Sequence, residues 1–183
     1  MTVLKSLLSP IYLEDKEVRK VIELMFFSYR DFTSGPDKIL EDLNFGRAHH
    51  RVIYFVGKRE KITIKDLLSI LQITKQSLSR VLNQLVSEKY IDVTIGKDKR
   101  TKDLTLTIKG ADLEKQLSTI QINKIKNLIK DSNEKEVNNF KIMLYKMINK
   151  RNQIKLEKMI NKDKSGFMET VQFSVSRLNK DKQ

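Results

Sequence analysis

Cysteine is absent from this 183-residue chain. That excludes disulfides, Cys-ligated zinc, thiol catalysis and thiol-based redox sensing. Proline (2) and glycine (6) are scarce. With so few breakers and so much Lys, Leu, Ile and Glu, the chain reads as mainly α. No apolar run approaches the roughly 20 residues of a membrane helix, so a soluble protein without a membrane partner is expected. The first residues lack the charged, apolar and small-residue regions of a secretory signal, which favours a cytoplasmic location. Signatures of catalysis are missing as well: there is no Gly-rich phosphate loop, no G-x-S-x-G and no H-E-x-x-H. The acidic pairs Glu14-Asp15 and Glu41-Asp42 are expected at helix starts, where they complement the dipole. No enzyme, cofactor or metal is expected.

Acidic residues are in deficit, 23 against 36 Lys and Arg, for a formal charge of +13. The excess is uneven: residues 1–58 hold 9 basic and 8 acidic side chains, leaving 27 and 15 for residues 59–183. A neutral first third joined to a basic remainder points to a polyanion partner, nucleic acid first. The plain alternative is a Lys-rich solvated surface.

Along the chain, Val18, Val21, Ile22, Met25 and Tyr29 recur at helical spacing and predict an amphipathic helix over 15–32. Ser34, Gly35 and Pro36 are expected to break it. Pro36 then opens a short helix with Ile39, Leu40 and Leu43 inward. Gly46–Val56 reads as a third helix closed by Gly57. Its His49 and His50 point about 100° apart, which makes a poor chelate, so a core or interface hydrogen bond is the better reading.

The informative block follows. Thr63 precedes Ile64-Lys65-Asp66 and can cap a helix, with Asp66 reaching back to it. Gln72-Ile73 make a short turn, and Thr74 caps a second helix. There Leu78, Val81, Leu82 and Leu85 fall on one apolar face. Lys75, Gln76, Ser79, Arg80 and Asn83 collect on the other. This is a helix-turn-helix pattern. Past Tyr90 the period becomes alternating, in Ile91, Val93 and Ile95 and again in Leu104, Leu106 and Ile108. Between them the tip Gly96-Lys97-Asp98-Lys99-Arg100-Thr101-Lys102-Asp103 carries four cations and two acids. A helix-turn-helix followed by a small basic β-hairpin is a winged helix-turn-helix.

Thr107 is placed to cap the next helix, which carries Ile120, Ile125, Leu128 and Ile129 and runs to about Lys130. Asp131-Ser132-Asn133 break it, and either Ser132 or Asn133 with Glu136 can cap a restart. Val137, Phe140, Leu144, Met147 and Ile148 form another apolar stripe. These helices and the first have more apolar face than a small winged domain covers, and a second copy of the chain is the natural cover. Residues 151–183 are a basic extension in which Phe167, Val171 and Leu178 suit one side of a final helix.

The stretch from Gly46 to about Leu117 resembles the MarR family of bacterial transcription regulators. The resemblance rests on Ile62-Thr63-Ile64-Lys65-Asp66-Leu67, on Ile73-Thr74-Lys75-Gln76-Ser77-Leu78-Ser79-Arg80-Val81-Leu82, on Asp98-Lys99-Arg100, and on Leu106-Thr107-Ile108-Lys109-Gly110. The run Gly46-Arg47-Ala48-His49-His50-Arg51-Val52 is similar to the PetP-like branch of that family. One departure is Gln72, at a turn position that the family usually gives to Gly. A left-handed backbone there would cost on the order of 1 kcal/mol.

The resemblance implies a winged helix-turn-helix (46–110) between N-terminal (1–45) and C-terminal (111–150) helices that intertwine in a homodimer, followed by the basic extension (151–183). It also implies double-stranded DNA as partner and, in many members, release by a small-molecule effector. Lys75, Gln76, Ser79, Arg80 and Asn83 would face the major groove, where Gln and Asn suit adenine and Arg suits guanine. Thr63, Thr74 and Ser77, at helix starts, suit phosphates. Arg100, oriented by Asp98, would enter the minor groove, with Lys97, Lys99 and Lys102 on the backbone. Two other classes fit the residues: a non-specific architectural nucleic-acid binder led by the basic tail, and a protein-interaction module built on a winged helix.

Overall fold

The structure, a computed structural model, describes residues 14–162 apart from 60, 97 and 98. Two compact units divide the chain, Met1–Lys124 and Ile125–Gln183. The first holds α1 (Asp15–Asp42), α2 (Arg47–Gly57), β1 (Ile62–Thr63), α3 (Ile64–Leu71), α4 (Lys75–Ser87), β2 (Ile91–Ile95), β3 (Lys102–Leu106) and most of α5 (Ile108–Ile129). The second holds the end of α5, α6 (Glu134–Met147) and α7 (Lys150–Lys162).

α1 is a single 28-residue helix that continues through Pro36, where the sequence predicts a break. Pro36 has no N–H for the Phe32 carbonyl, yet the preceding turn is held by side chains. Thr33 Oγ1 lies 3.1 Å from the carbonyls of both Tyr29 and Arg30. Ser34 Oγ donates to the Asp31 carbonyl at 3.0 Å, and Lys124 Nζ donates to the same oxygen at 2.5 Å. Thr33, Pro36 and Leu40 are buried, so packing adds to this support. Gly35 serves a close approach: a Cβ there would stand 2.7 Å from Ile120 Cγ2 on α5. One consequence is that Glu41 and Asp42 end a helix instead of starting one, at the dipole end that disfavours them.

The helix-turn-helix forms as its sequence predicts. Thr63 Oγ1 accepts the Asp66 N–H at 3.1 Å, and Asp66 Oδ2 accepts the Thr63 N–H at 3.3 Å, a complete capping box on α3. Gln72 is left-handed (φ 52, ψ 41), as expected for a glycine position filled by another residue. Thr74 Oγ1 accepts the Ser77 N–H at 3.1 Å and caps α4. Leu78, Val81, Leu82 and Leu85 all enter the core. That core also takes Leu40 of α1, Val52, Ile53 and Val56 of α2, Leu67 of α3, and Leu113 and Leu117 of α5.

The hairpin has a third strand that periodicity did not announce. The antiparallel order is β1-β3-β2. Leu104 pairs with Ile62 on one side and Val93 on the other. The base of the sheet is buried through Ile62, Ile91 and Leu104, whereas Ile95 near the tip is 76% exposed. The alternation is real, but the hairpin projects beyond the core. Ile108, expected on the strand, opens α5 and is 87% exposed. Thr107 explains the switch: its Oγ1 accepts the Gly110 N–H at 3.0 Å while donating to the Lys89 carbonyl at 2.7 Å. Gly110 permits that contact, since a Cβ would lie 2.0 Å from the Tyr90 carbonyl oxygen. Gly57 also serves packing: right-handed Lys58 follows it, and no left-handed cap forms.

In the second unit, Asn133 is the cap that sequence left open between two residues. Its side chain accepts the Glu136 N–H at 3.0 Å, and Glu136 accepts the Asn133 N–H at 2.9 Å. After α6 the chain turns back, with the Asn149 carbonyl accepting the amides of Asn152 and Gln153 to start α7. The final helix expected around Phe167, Val171 and Leu178 lies outside the described residues.

Candidate nucleic-acid interface

The apolar side of α4 is fixed in the core, and this dictates what its other side does. Lys75, Gln76, Ser79, Arg80 and Asn83 are all exposed. Among the described residues, no side-chain hydrogen bond or ion pair engages any of the five. The face carries two cations, a primary amide at each end, a hydroxyl, and no carboxylate. Such a surface presents donors and acceptors at full capacity to a polyanion. Thr74 and Ser77 sit at its N-terminal end and are bonded to each other, Thr74 Oγ1 donating to Ser77 Oγ at 2.9 Å. Thr74 Oγ1 takes the Ser77 N–H, and the amides still open at this helix start suit a phosphate nearby.

Other residues anticipated from sequence lie on the wing. The Gly96 N–H donates to the Thr101 carbonyl at 3.0 Å and closes the loop. Lys99, Arg100 and Lys102 are exposed there. Lys97 and Asp98 lie outside the described residues. Thr63 belongs to a different place: it is half-buried at the base of the wing, and its hydroxyl is held by Asp66. The α4 set therefore shares one face, the wing cations form a second group, and Thr63 acts first as a cap.

The parts that seat α4 are long-range and carry no local sequence signal. His49 Nδ1 accepts the Gly46 N–H at 3.0 Å, so Nε2 carries the proton of the neutral ring and donates to Gln84 Oε1 at 2.9 Å. Gln84 Nε2 donates in turn to Glu88 Oε1 at 3.0 Å. The His49 ring stacks on Phe45 with centroids 4.7 Å apart. The expected core hydrogen bond of a histidine is thus present, and it grips α4 from behind. At the far end, Lys109 donates to the Glu88 carbonyl at 3.0 Å and stands 4.0 Å over the Tyr90 ring. No sequence spacing signals Gln84, because its partner is 35 positions away.

α2 is tied to α1 by Arg47, whose Nε and Nη2 donate to Asp37 at 3.0 and 2.7 Å. That pairing raises the Arg47 pKa. One turn on, half-buried His50 has its pKa lowered by desolvation, partly offset by the charges of Asp37 and Glu114. Nearby, Ile39, Asp42, Leu43, Tyr90, Lys109, Asp112, Leu113 and Gln116 line a cleft of about 330 Å³. Among the described residues no three acidic or histidine side chains come together as metal ligands, and no helix is long and apolar enough to cross a membrane.

An exposed, acid-free helix face beside a basic hairpin on a three-stranded sheet defines a winged helix-turn-helix protein. Residues 43–101 match the model of the MarR family. Over 112 residues the chain is 47% identical to the HTH-type transcriptional regulator PetP of Rhodobacter capsulatus, covering 61% of this chain and 68% of that one. The chain belongs to the MarR family of transcriptional regulators. Its fold is similar to that of the S. aureus MepR–DNA complex (TM-score 0.56, 23% identity, 68% of this chain and 93% of that one). It is also similar to NadR in complex with 4-hydroxyphenylacetate (TM-score 0.57, 18% identity, 69% and 91%).

Proposed function

We propose that this regulator binds duplex DNA in the bacterial cytoplasm as a homodimer on a pseudo-palindromic operator, with half-sites about one helical turn apart. The observation that carries the reading is the α4 face, with five polar side chains exposed and uncommitted and no acid among them. Lys75, Gln76, Ser79, Arg80 and Asn83 read base edges, and Thr74, Ser77 and Thr63 stand near phosphates. Arg100 enters the minor groove with Asp98 as its orienting partner, and Lys97, Lys99 and Lys102 meet the backbone. Support for the dimer comes from apolar residues that one chain leaves in water: Val21, Ile22, Met25 and Tyr29 on α1, and Phe140, Leu144 and Met147 on α6, are 40–59% exposed.

A small-molecule effector that binds the DNA-incompetent state more tightly lowers DNA affinity by that difference. The cleft of about 330 Å³ between α1 and α5 is at the small end of the ligand-site range. Its Asp42, Lys109 and Asp112 favour an effector with hydrogen-bonding groups.

The test is fluorescence anisotropy on a duplex from upstream of the protein's own gene, beside a base-scrambled duplex, over a salt series. Specific binding at least ~10³-fold tighter than scrambled, with two chains per site, supports the reading. Equal binding to both duplexes and to genomic fragments, with affinity collapsing as salt rises, favours the architectural alternative instead.

A further inference from the structure

The cleft between α1 and α5 combines two chemistries. Ile39 and Leu43 of α1, Leu113 of α5 and the buried Tyr90 make its apolar part. Asp42, Asp112 and Lys109 bring the charge, two carboxylates against one ammonium. The ammonium is already committed: Lys109 Nζ donates to the Glu88 carbonyl at 3.0 Å and stands 4.0 Å from the centre of the Tyr90 ring. The carboxylates are not. Among the described residues neither Asp42 nor Asp112 has a hydrogen bond or an ion pair. Lys109 precedes Asp112 by one turn on the same side of α5, yet its ammonium goes to Glu88 instead. Asp42 also closes α1, whose last turn holds no base and whose carbonyl end carries partial negative charge. On a chain of formal charge +13, this cleft has the opposite sign.

We propose that the cleft binds an organic cation, a primary amine carried on one aromatic ring or a short apolar chain. The amine meets Asp42 and Asp112, and the apolar body lies against Ile39, Leu113 and Tyr90. A volume of about 330 Å³ suits a small single-ring molecule. An aromatic acid of the same size would set its carboxylate against two others, with no free cation to receive it. A bare divalent ion fits poorly as well. It takes about six to eight oxygen ligands, and among the described residues no three acidic or histidine side chains come together. An arriving ammonium repels that of Lys109, whose bond to the Glu88 carbonyl holds the end of α4. Binding of the amine thereby loosens the reading helix where it leaves the core. The link from this loosening to DNA release rests on the effector function proposed above.

The test is isothermal titration calorimetry of the full chain with tyramine, phenethylamine and 4-hydroxyphenylacetate. Tyramine and 4-hydroxyphenylacetate share a phenol ring and carry opposite charges. Both amines should bind, and the acid should not. Asp42→Asn with Asp112→Asn should weaken tyramine binding by about 5–30-fold, with each single substitution in between. Both positions are exposed, and circular dichroism checks that the variants keep their helix content. Tighter binding of the acid than of the amines overturns the proposal. Tyramine affinity unaltered in the double variant overturns it too, and so does the lack of binding by either amine. Anisotropy on the operator duplex, with and without tyramine, separates the two readings. Tyramine that binds through the aspartates and leaves DNA affinity unchanged supports the cation site and removes its effector role. Specific DNA binding by a wild-type chain that takes neither amine overturns the site and leaves the regulator reading intact.

Discussion

The winged unit and the long helices treat their apolar residues in opposite ways. Within 46–106, Val52, Ile53, Leu67, Leu78, Leu85, Ile91 and Leu104 are at most 1% exposed. On α1, Leu24, Phe26, Phe27 and Tyr29 are 57–73% exposed. A winged unit closes its core with one chain, because three helices and a sheet surround a common interior. A lone 28-residue helix buries its own apolar residues only against something else. The difference shows that the winged unit closes its core within one chain, whereas α1 leaves a large part of its apolar surface uncovered.

The sharpest way to break this contrast is to damage each side. Leu85→Ala should cost about 2–5 kcal/mol of unfolding free energy at any protein concentration, measured by urea denaturation. Ile22→Glu with Met25→Glu should instead leave a folded monomer in sedimentation velocity. Loss of folding in the double variant at all concentrations would show that α1 belongs to the self-contained core. His49→Ala comes next. It removes the link from Gly46 to Gln84 and should lower stability by about 1–3 kcal/mol. DNA affinity should fall further than stability alone explains, because α4 loses its rear support.

The smaller effects sharpen the comparison. Gln72→Gly relieves a left-handed residue and should raise stability by up to about 1 kcal/mol, read as a higher urea midpoint with the slope unchanged. The pKa of His50 is lowered in the folded state, so its contribution is present above the unfolded value near 6.5 and is lost as pH falls through the folded value. His50→Gln should therefore flatten the acid limb of the stability profile below about pH 6.5. An unaltered limb would show that other groups govern acid unfolding.

Much of the winged unit was legible because its signals are local. Thr63 with Asp66, Thr74 with Ser77, and the apolar set of α4 each lie within one or two turns of sequence. Thr107 and the odd residue Gln72 were likewise readable from their neighbours. What stayed hidden is non-local. β1 has two residues and exists only because β3 lies beside it. α1 runs through Pro36 because Lys124, 93 positions from its acceptor, helps hold the turn. The glycines at 35 and 57 look like breakers but are thin places where other residues approach. In the candidate site the exposed side chains were legible, and the His49–Gln84 support was not.

Thr63 occupies two elements at once. It is the last residue of β1, registered with Asp103, and it is also the cap of α3. The wing is therefore a lever with its fulcrum at the first turn of α3. A displacement at the tip, around Arg100, has two routes inward: along β3 to that first turn, and along β2, which packs directly on α4. A change at Thr63 or Asp66 therefore alters the support of the wing and the start of α3 together.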